Sequence, residues 1–156
     1  MREKYKQFML DSNAIEGEMR LNPGDLAAVY YVVDFGILRE EDLLAVHSII
    51  GEYLKQDWVG KYRTCKVYVG EHMPPNPQEV PRLMKRFFET LPNMTAWQAH
   101  NEFEWIHPFQ DLNGRAGRLI WLSKAVKTGY NFKLTFLHTY YYQTLKELRS
   151  SISLDF

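Results

Sequence analysis

The sequence predicts an all-α, mostly helical fold with one small β-hairpin. Three observations carry this expectation. Apolar residues recur at helical spacing along most of the 156 residues. Only one stretch, residues 61–77, alternates with the two-residue period of a strand. The composition, 46% hydrophobic and 24% charged, is that of a globular chain able to enclose a core without disulfides or metal staples.

The elements follow in order. Residues 3–19 mix strong helix formers with Phe8, Met9 and Ile15, and Gly17 is the expected fraying point. Pro23 suits the start of a second helix that runs to about Phe35 and ends at Gly36. Residues 40–56 form a third, because Leu43, Val46, His47, Ile50 and Leu54 share one face. KYRTCKVYVGEHMPPNP then alternates around Cys65, Val67 and Val69 and reads as a hairpin over 61–77. Helical spacing returns with Val80, Leu83, Met84, Phe87, Phe88 and Leu91, and again from Thr95 to about Ile106. Residues 115–128 make a helix closed by Gly129. Leu134, Leu137, Tyr141, Leu145, Leu148 and Ile152 form a last apolar stripe. No linker or repeat divides the chain, so residues 1–156 read as a single domain.

Composition narrows the function classes. Lys plus Arg equals Asp plus Glu at 19 each, and no long basic run appears, which argues against nucleic-acid binding as the primary role. One cysteine, Cys65, supports neither an internal disulfide nor a metal cluster. The N-terminus lacks the apolar run of a signal peptide, and no segment is long enough to cross a bilayer. A cytoplasmic protein without membrane partners is the expectation. Aromatics reach 15%, which permits a homodimer without requiring one.

The chemistry concentrates in HPFQDLNGRAGR, residues 107–118. A helix that begins after this turn offers unpaired N–H groups and a positive dipole end to phosphate oxygens. Arg115 and Arg118 lie three apart, close to one helical face, with guanidinium forks suited to phosphates. Asp111 is a hard oxygen ligand for magnesium shared with phosphates, and His107 can accept a proton near neutral pH. Together these outline phosphoryl or nucleotidyl transfer. The same spacing also fits an ordinary loop shaped by Pro108 and Gly114, with His107 capping a helix and Asp111 in an Asx turn. His47 and His100 read as packed histidines rather than ligands.

The segment resembles the Fic domain signature HxFx(D/E)GNGRxxR: His107, Phe109, Asp111, Asn113, Gly114, Arg115 and Arg118 match in register, and Leu112 replaces the first glycine. KYR at 61–63 and the KVYVGEHMPP stretch resemble the Fic flap. Residues 12–17, SNAIEG, match the family's inhibitory motif (S/T)xxxE(G/N) as Ser12, Glu16 and Gly17.

The resemblance implies a Fic-type helical bundle and a protein adenylyltransferase that uses ATP and Mg2+ to modify a Ser, Thr or Tyr hydroxyl of a target protein. It implies His107 as general base, and Asp111 as the magnesium ligand. Leu112, Asn113, Gly114, Arg115 and Arg118 are implied as the nucleotide site, with Phe109 anchoring the loop. Lys66, Val67, Tyr68 and Val69 are implied in target docking. It further implies that Glu16 on the helix over 3–19 occupies Arg118 and holds the enzyme off. Leu112 at a position that needs positive φ is expected to be strained. Phosphotransfer, transfer of another phosphate-containing group such as phosphocholine, or a catalytically weak nucleotide- or protein-binding module are the alternatives that Leu112 leaves open.

Overall fold

A computed structural model describes residues 3–129. Six α-helices follow one another there: α1 Glu3–Ile15, α2 Asp25–Asp34, α3 Glu40–Gly51, α4 Val80–Thr90, α5 Ala96–Ile106 and α6 Asn113–Lys127. The stripe from Leu134 to Ile152 lies outside the described residues.

The centre is α6, which packs against α5, α2, α1 and α3. Its sequence carries little one-sided apolar pattern because almost every face is covered: Arg115, Ala116, Arg118, Leu119, Ile120, Trp121 and Leu122 are all buried. Phe8 of α1 stacks on Trp121, and Ser123 Oγ accepts the Ile37 amide at 2.7 Å, so α6 is tied to α1 and to the turn between α2 and α3. The next helix in importance, α5, begins with a capping box. Thr95 Oγ1 accepts the Gln98 amide and Gln98 Oε1 accepts the Thr95 amide, which fixes where the helix enters the core.

Three boundaries differ from expectation for local reasons. The first helix stops at Ile15 rather than 19, because Gly17 takes φ +82 and closes it with two bonds, Gly17 N to Ala14 O and Glu18 N to Asn13 O. This is a Schellman turn, which only a left-handed residue at that position allows. The third helix ends at Gly51 and tightens into a 3-10 turn over Glu52–Leu54. The helix expected over 115–128 begins at Asn113, two residues earlier, and that shift decides which amides sit at its open end.

The hairpin expected over 61–77 is a correction. Among the described residues there is no β-strand, and the segment has a single antiparallel bridge, Val69 to His72, around Gly70 and Glu71. The second limb is MPPNP, whose prolines cannot donate to a ladder, so pairing stops where it starts. A side chain does the ladder's work. Arg63, 3% exposed, donates to Cys65 O, Pro75 O, His107 O and Ile106 O, and so binds both limbs to the end of α5.

Candidate active site

The turn between α5 and α6 is held open by backbone geometry that few residues tolerate. His107 caps α5 with φ +49, its amide donating to Phe103 O at 2.8 Å and its carbonyl accepting from Arg63 Nε at 2.7 Å. Phe109 is fully buried and lies flat on His47, ring centroids 3.7 Å apart. The Asn113 side chain clamps it from the other side: Oδ1 accepts the Phe109 amide at 2.8 Å and Nδ2 donates to Phe109 O at 2.9 Å. His47 completes the frame. The Gly60 amide donates to its Nδ1 at 2.8 Å, so Nε2 carries the hydrogen and donates to Asp111 O at 3.0 Å. Burial drives its pKa down to about 4, outweighing the Asp111 carbonyl, so the ring is neutral.

Leu112 precedes α6 with φ +65, so the strain expected of a leucine at this position is present. A left-handed leucine costs about 1–2 kcal/mol. Its side chain is only 3% exposed and packs beside Gly51, and such burial contributes about 1.5–3 kcal/mol. Packing thus offsets the backbone cost, which explains how the chain dispenses with glycine here.

Because Asn113 spends its side chain on Phe109 and Leu112 offers no cap, the first amides of α6 have no side-chain partner. They open into a cleft of about 260 Å³ lined by residues 107 and 110–115, by Glu104 and Arg118, by Val67, Tyr68 and Val69, and by Glu16. The donors around it fit a phosphate chain. Arg115 is buried, with Nη1 on Tyr53 Oη at 3.2 Å and Nε without a partner among the described residues. Gly114 has no room for a side chain, since a Cβ would strike Glu16 Oε1 and Arg118 Nη1. Asp111 presents an exposed carboxylate with Oδ1 fixed by the Leu112 amide at 2.6 Å. Among the described residues no group of three His, Cys, Asp or Glu could hold a metal. The Asp111 carboxylate is a hard oxygen donor of the kind that magnesium shares with phosphates and water.

Arg118 is completely buried at the floor of the cleft. Nε donates to Ser12 Oγ at 2.7 Å, and Nη2 donates to Ser12 O at 3.0 Å and to Glu16 Oε1 at 2.7 Å. A Cβ at Gly17 would meet nothing, so the residue supplies the left-handed turn that leaves Glu16 at the end of α1. Glu16 thus stands at the negative end of α1 and the positive end of α6, with the second environment and Arg118 compensating the first.

Of the residues singled out in the sequence, the structure gathers Glu16, Val67, Tyr68, Val69, His107, Asp111, Leu112, Asn113, Gly114, Arg115 and Arg118 around one cleft. Ser12 lies behind it on Arg118, and Lys66 and Gly17 are not part of its lining. Sequence reasoning passed over Glu104 and the loop-holding roles of Arg63 and His47. Glu104 did leave a signal: it is an acidic residue three positions before the signature histidine, His107.

The sequence profile of the Fic/DOC family matches residues 37–122, more than half of the chain. The chain belongs to the Fic/DOC family. Among curated relatives, "Protein adenylyltransferase Fic" of Culex quinquefasciatus is 35% identical over 99 residues, covering 58% of this chain and 20% of its own length. The protein of the same name from Drosophila grimshawi is 34% identical over 138 residues, covering 80% of this chain and 28% of its own. The chain therefore spans less than a third of these relatives. A Fic family protein from Desulfovibrio desulfuricans superposes with a TM-score of 0.71 at 25% identity, covering 98% of this chain and 58% of that one. A Fic domain containing signaling protein from Bacteroides thetaiotaomicron gives 0.74 at 19% identity, covering 92% and 71%, which speaks for the Fic fold. No helix among the described residues is long and apolar enough to cross a membrane.

Proposed function

We propose that this Fic chain is a protein adenylyltransferase that moves AMP from ATP to a Ser, Thr or Tyr hydroxyl of a target protein, and that Glu16 restrains it. The supporting observation is one cleft in which an imidazole, an uncapped helix start and two buried guanidinium groups face the same space. His107 accepts the hydroxyl proton as the oxygen bonds to the α-phosphorus, and the bond from that phosphorus to the β-bridging oxygen breaks to release pyrophosphate. The backbone amides of Asn113, Gly114 and Arg115 receive the phosphate oxygens, with the Leu112 turn aiming them. Arg115 and Arg118 anchor the outer phosphates. Asp111 holds magnesium, which when bound neutralises phosphate charge. Glu16 and the γ-phosphate compete for Arg118, so a nucleotide arriving with Glu16 in place lacks its far anchor.

Val67, Tyr68 and Val69 wall the cleft, and Lys66, Val67 and Tyr68 make no backbone–backbone hydrogen bonds among the described residues. Their free backbone groups are the proposed dock for an extended target segment. The proposed domain is the whole chain 1–156, with α1 as its regulatory element and 107–118 as its catalytic loop. A reduced, cytoplasmic setting agrees with the exposed free thiol of Cys65.

The test is intact mass after incubation of Glu16→Gly with ATP, magnesium and cell lysate. Addition of roughly 329 Da to the chain or a target identifies AMP transfer, whereas about 80 Da would overturn the reading in favour of attack at the γ-phosphorus.

A further inference from the structure

His100 and Glu104 fall at i and i+4 and so share one face of α5, and His107 caps that helix in a left-handed turn beside Glu104. That face is pressed against Gly117 of α6, where a Cβ would collide with Glu104 Oε1 and lie 3.1 Å from His100 Nδ1. Glycine is what lets a carboxylate sit here. Glu104 is 8% exposed, lines the cleft, and has Oε2 3.6 Å from His107 Nδ1. Neither Glu104 Oε1 nor His107 Nδ1 has a hydrogen-bond partner among the described residues.

A carboxylate taken out of water is costly unless something charged or donating compensates it. Burial does push the Glu104 carboxyl towards neutrality. His107, His100 and Arg118 together outweigh burial and hold it below the usual range, so it is ionised at neutral pH. Opposite it stands an imidazole nitrogen with no other acceptor. Catalytic hydrogen bonds are often long before substrate binds, and 3.6 Å closes with a small side-chain rotation.

We propose that Glu104 is a positioning residue for His107: its carboxylate takes the Nδ1–H, which leaves Nε2, on the far edge of the ring, as the unprotonated base. This rests on the reading of His107 as base given above. When the hydroxyl proton arrives at Nε2 the ring becomes imidazolium, and the adjacent carboxylate stabilises that charge without taking the proton itself. The charged and titratable groups around the pair are His100 on α5, Arg115 and Arg118 on α6, Glu16 at the end of α1 and Asp111 in the loop.

The experiment uses the full chain carrying Glu16→Gly, labelled with 15N at histidine. At neutral pH the His107 ring is expected as the Nδ1–H tautomer; finding the hydrogen on Nε2 overturns the proposal. This readout needs no turnover, so it stands whatever group the protein transfers, and a protein that transferred nothing would indict the reaction and not Glu104. Adding Glu104→Gln, a neutral and weaker acceptor, is expected to reduce the share of the Nδ1–H tautomer at His107. The kcat should fall about a hundredfold with the KM for ATP nearly constant, and Glu104→Asp should restore part of it. A His107 tautomer unmoved by Glu104→Gln overturns the proposal; should that variant not fold, the tautomer of the parent protein alone decides.

Discussion

Replacing Glu16 with glycine removes one carboxylate from one guanidinium, and the structure sets the scale of the effect. The lost contact is a 2.7 Å charge-assisted hydrogen bond between a side chain 30% exposed and one fully buried. Such bonds contribute about 1.5–3 kcal/mol, and exposure of the carboxylate to water places this one near the lower end. Arg118 keeps both Ser12 acceptors, so no buried charge is stranded. If the carboxylate and the γ-phosphate want the same donors, about 1.5–2 kcal/mol returns to the nucleotide, a gain of roughly 10–30-fold in kcat/KM. The assay is the initial rate of labelled AMP incorporation across ATP concentrations, alongside thermal melting, where a drop of about 2–6 °C is expected. Glu16→Gln, which keeps an acceptor and loses the charge, should fall between the two. A Glu16→Gly protein that stays folded and incorporates no more label than the parent refutes the competition.

Other outcomes follow from the same geometry. His107→Ala in the Glu16→Gly background should cut transfer by about 10²–10⁴, and the protein should remain folded with a lowered melting temperature because buried Glu104 loses one compensating neighbour. His47 has a folded pKa of about 4, below its value of 6.5 in the unfolded chain, so the unfolded state takes up the proton first. Stability contributed by neutral His47 is complete above about pH 6.5 and is lost as pH falls towards 4. The loss there is about 3 kcal/mol, read by urea melts at stepped pH, and His47→Gln should flatten that slope. Leu112→Gly trades a strained backbone for a cavity beside Gly51, a net loss of about 1–3 kcal/mol in chemical denaturation with the loop's function retained.

Much of this fold is legible in the sequence, because the period of the apolar residues and the capping chemistry agree. Thr95 with Gln98 marks the start of α5, and the α3 face from Leu43 to Ile50 is the buried one. The centre of the site is legible for a different reason, since residue types with phosphate chemistry crowd into twelve positions. Residues 61–77 misled because alternation reports a strand only when a partner strand can answer it. Here the answering limb is proline-rich, and the pairing falls to the Arg63 side chain, a long-range interaction that no local pattern encodes. Glu104 was passed over, and His47 was read as a packed histidine without its role in holding the loop, because their significance lies in what faces them, Gly117 and His107 for one, Phe109 and Asp111 for the other. The start of α6 lies two residues before the expected one because the Asn113 side chain clamps Phe109 and holds its own backbone in the helix.

Asn13 closes α1 through its carbonyl and, through Nδ2, grips Arg20 O at 2.9 Å and Asp25 Oδ2 at 2.6 Å. The helix end is thereby bolted to the start of α2, while the glutamate three residues on stays partly in water. Unlatching Arg118 consequently asks for one rotamer hop, a matter of picoseconds to nanoseconds at a wet side chain, rather than departure of a helix. On the proposed reading, an incoming triphosphate would meet a competitor that is anchored at its backbone and yields by side-chain rotation, without the protein having to open.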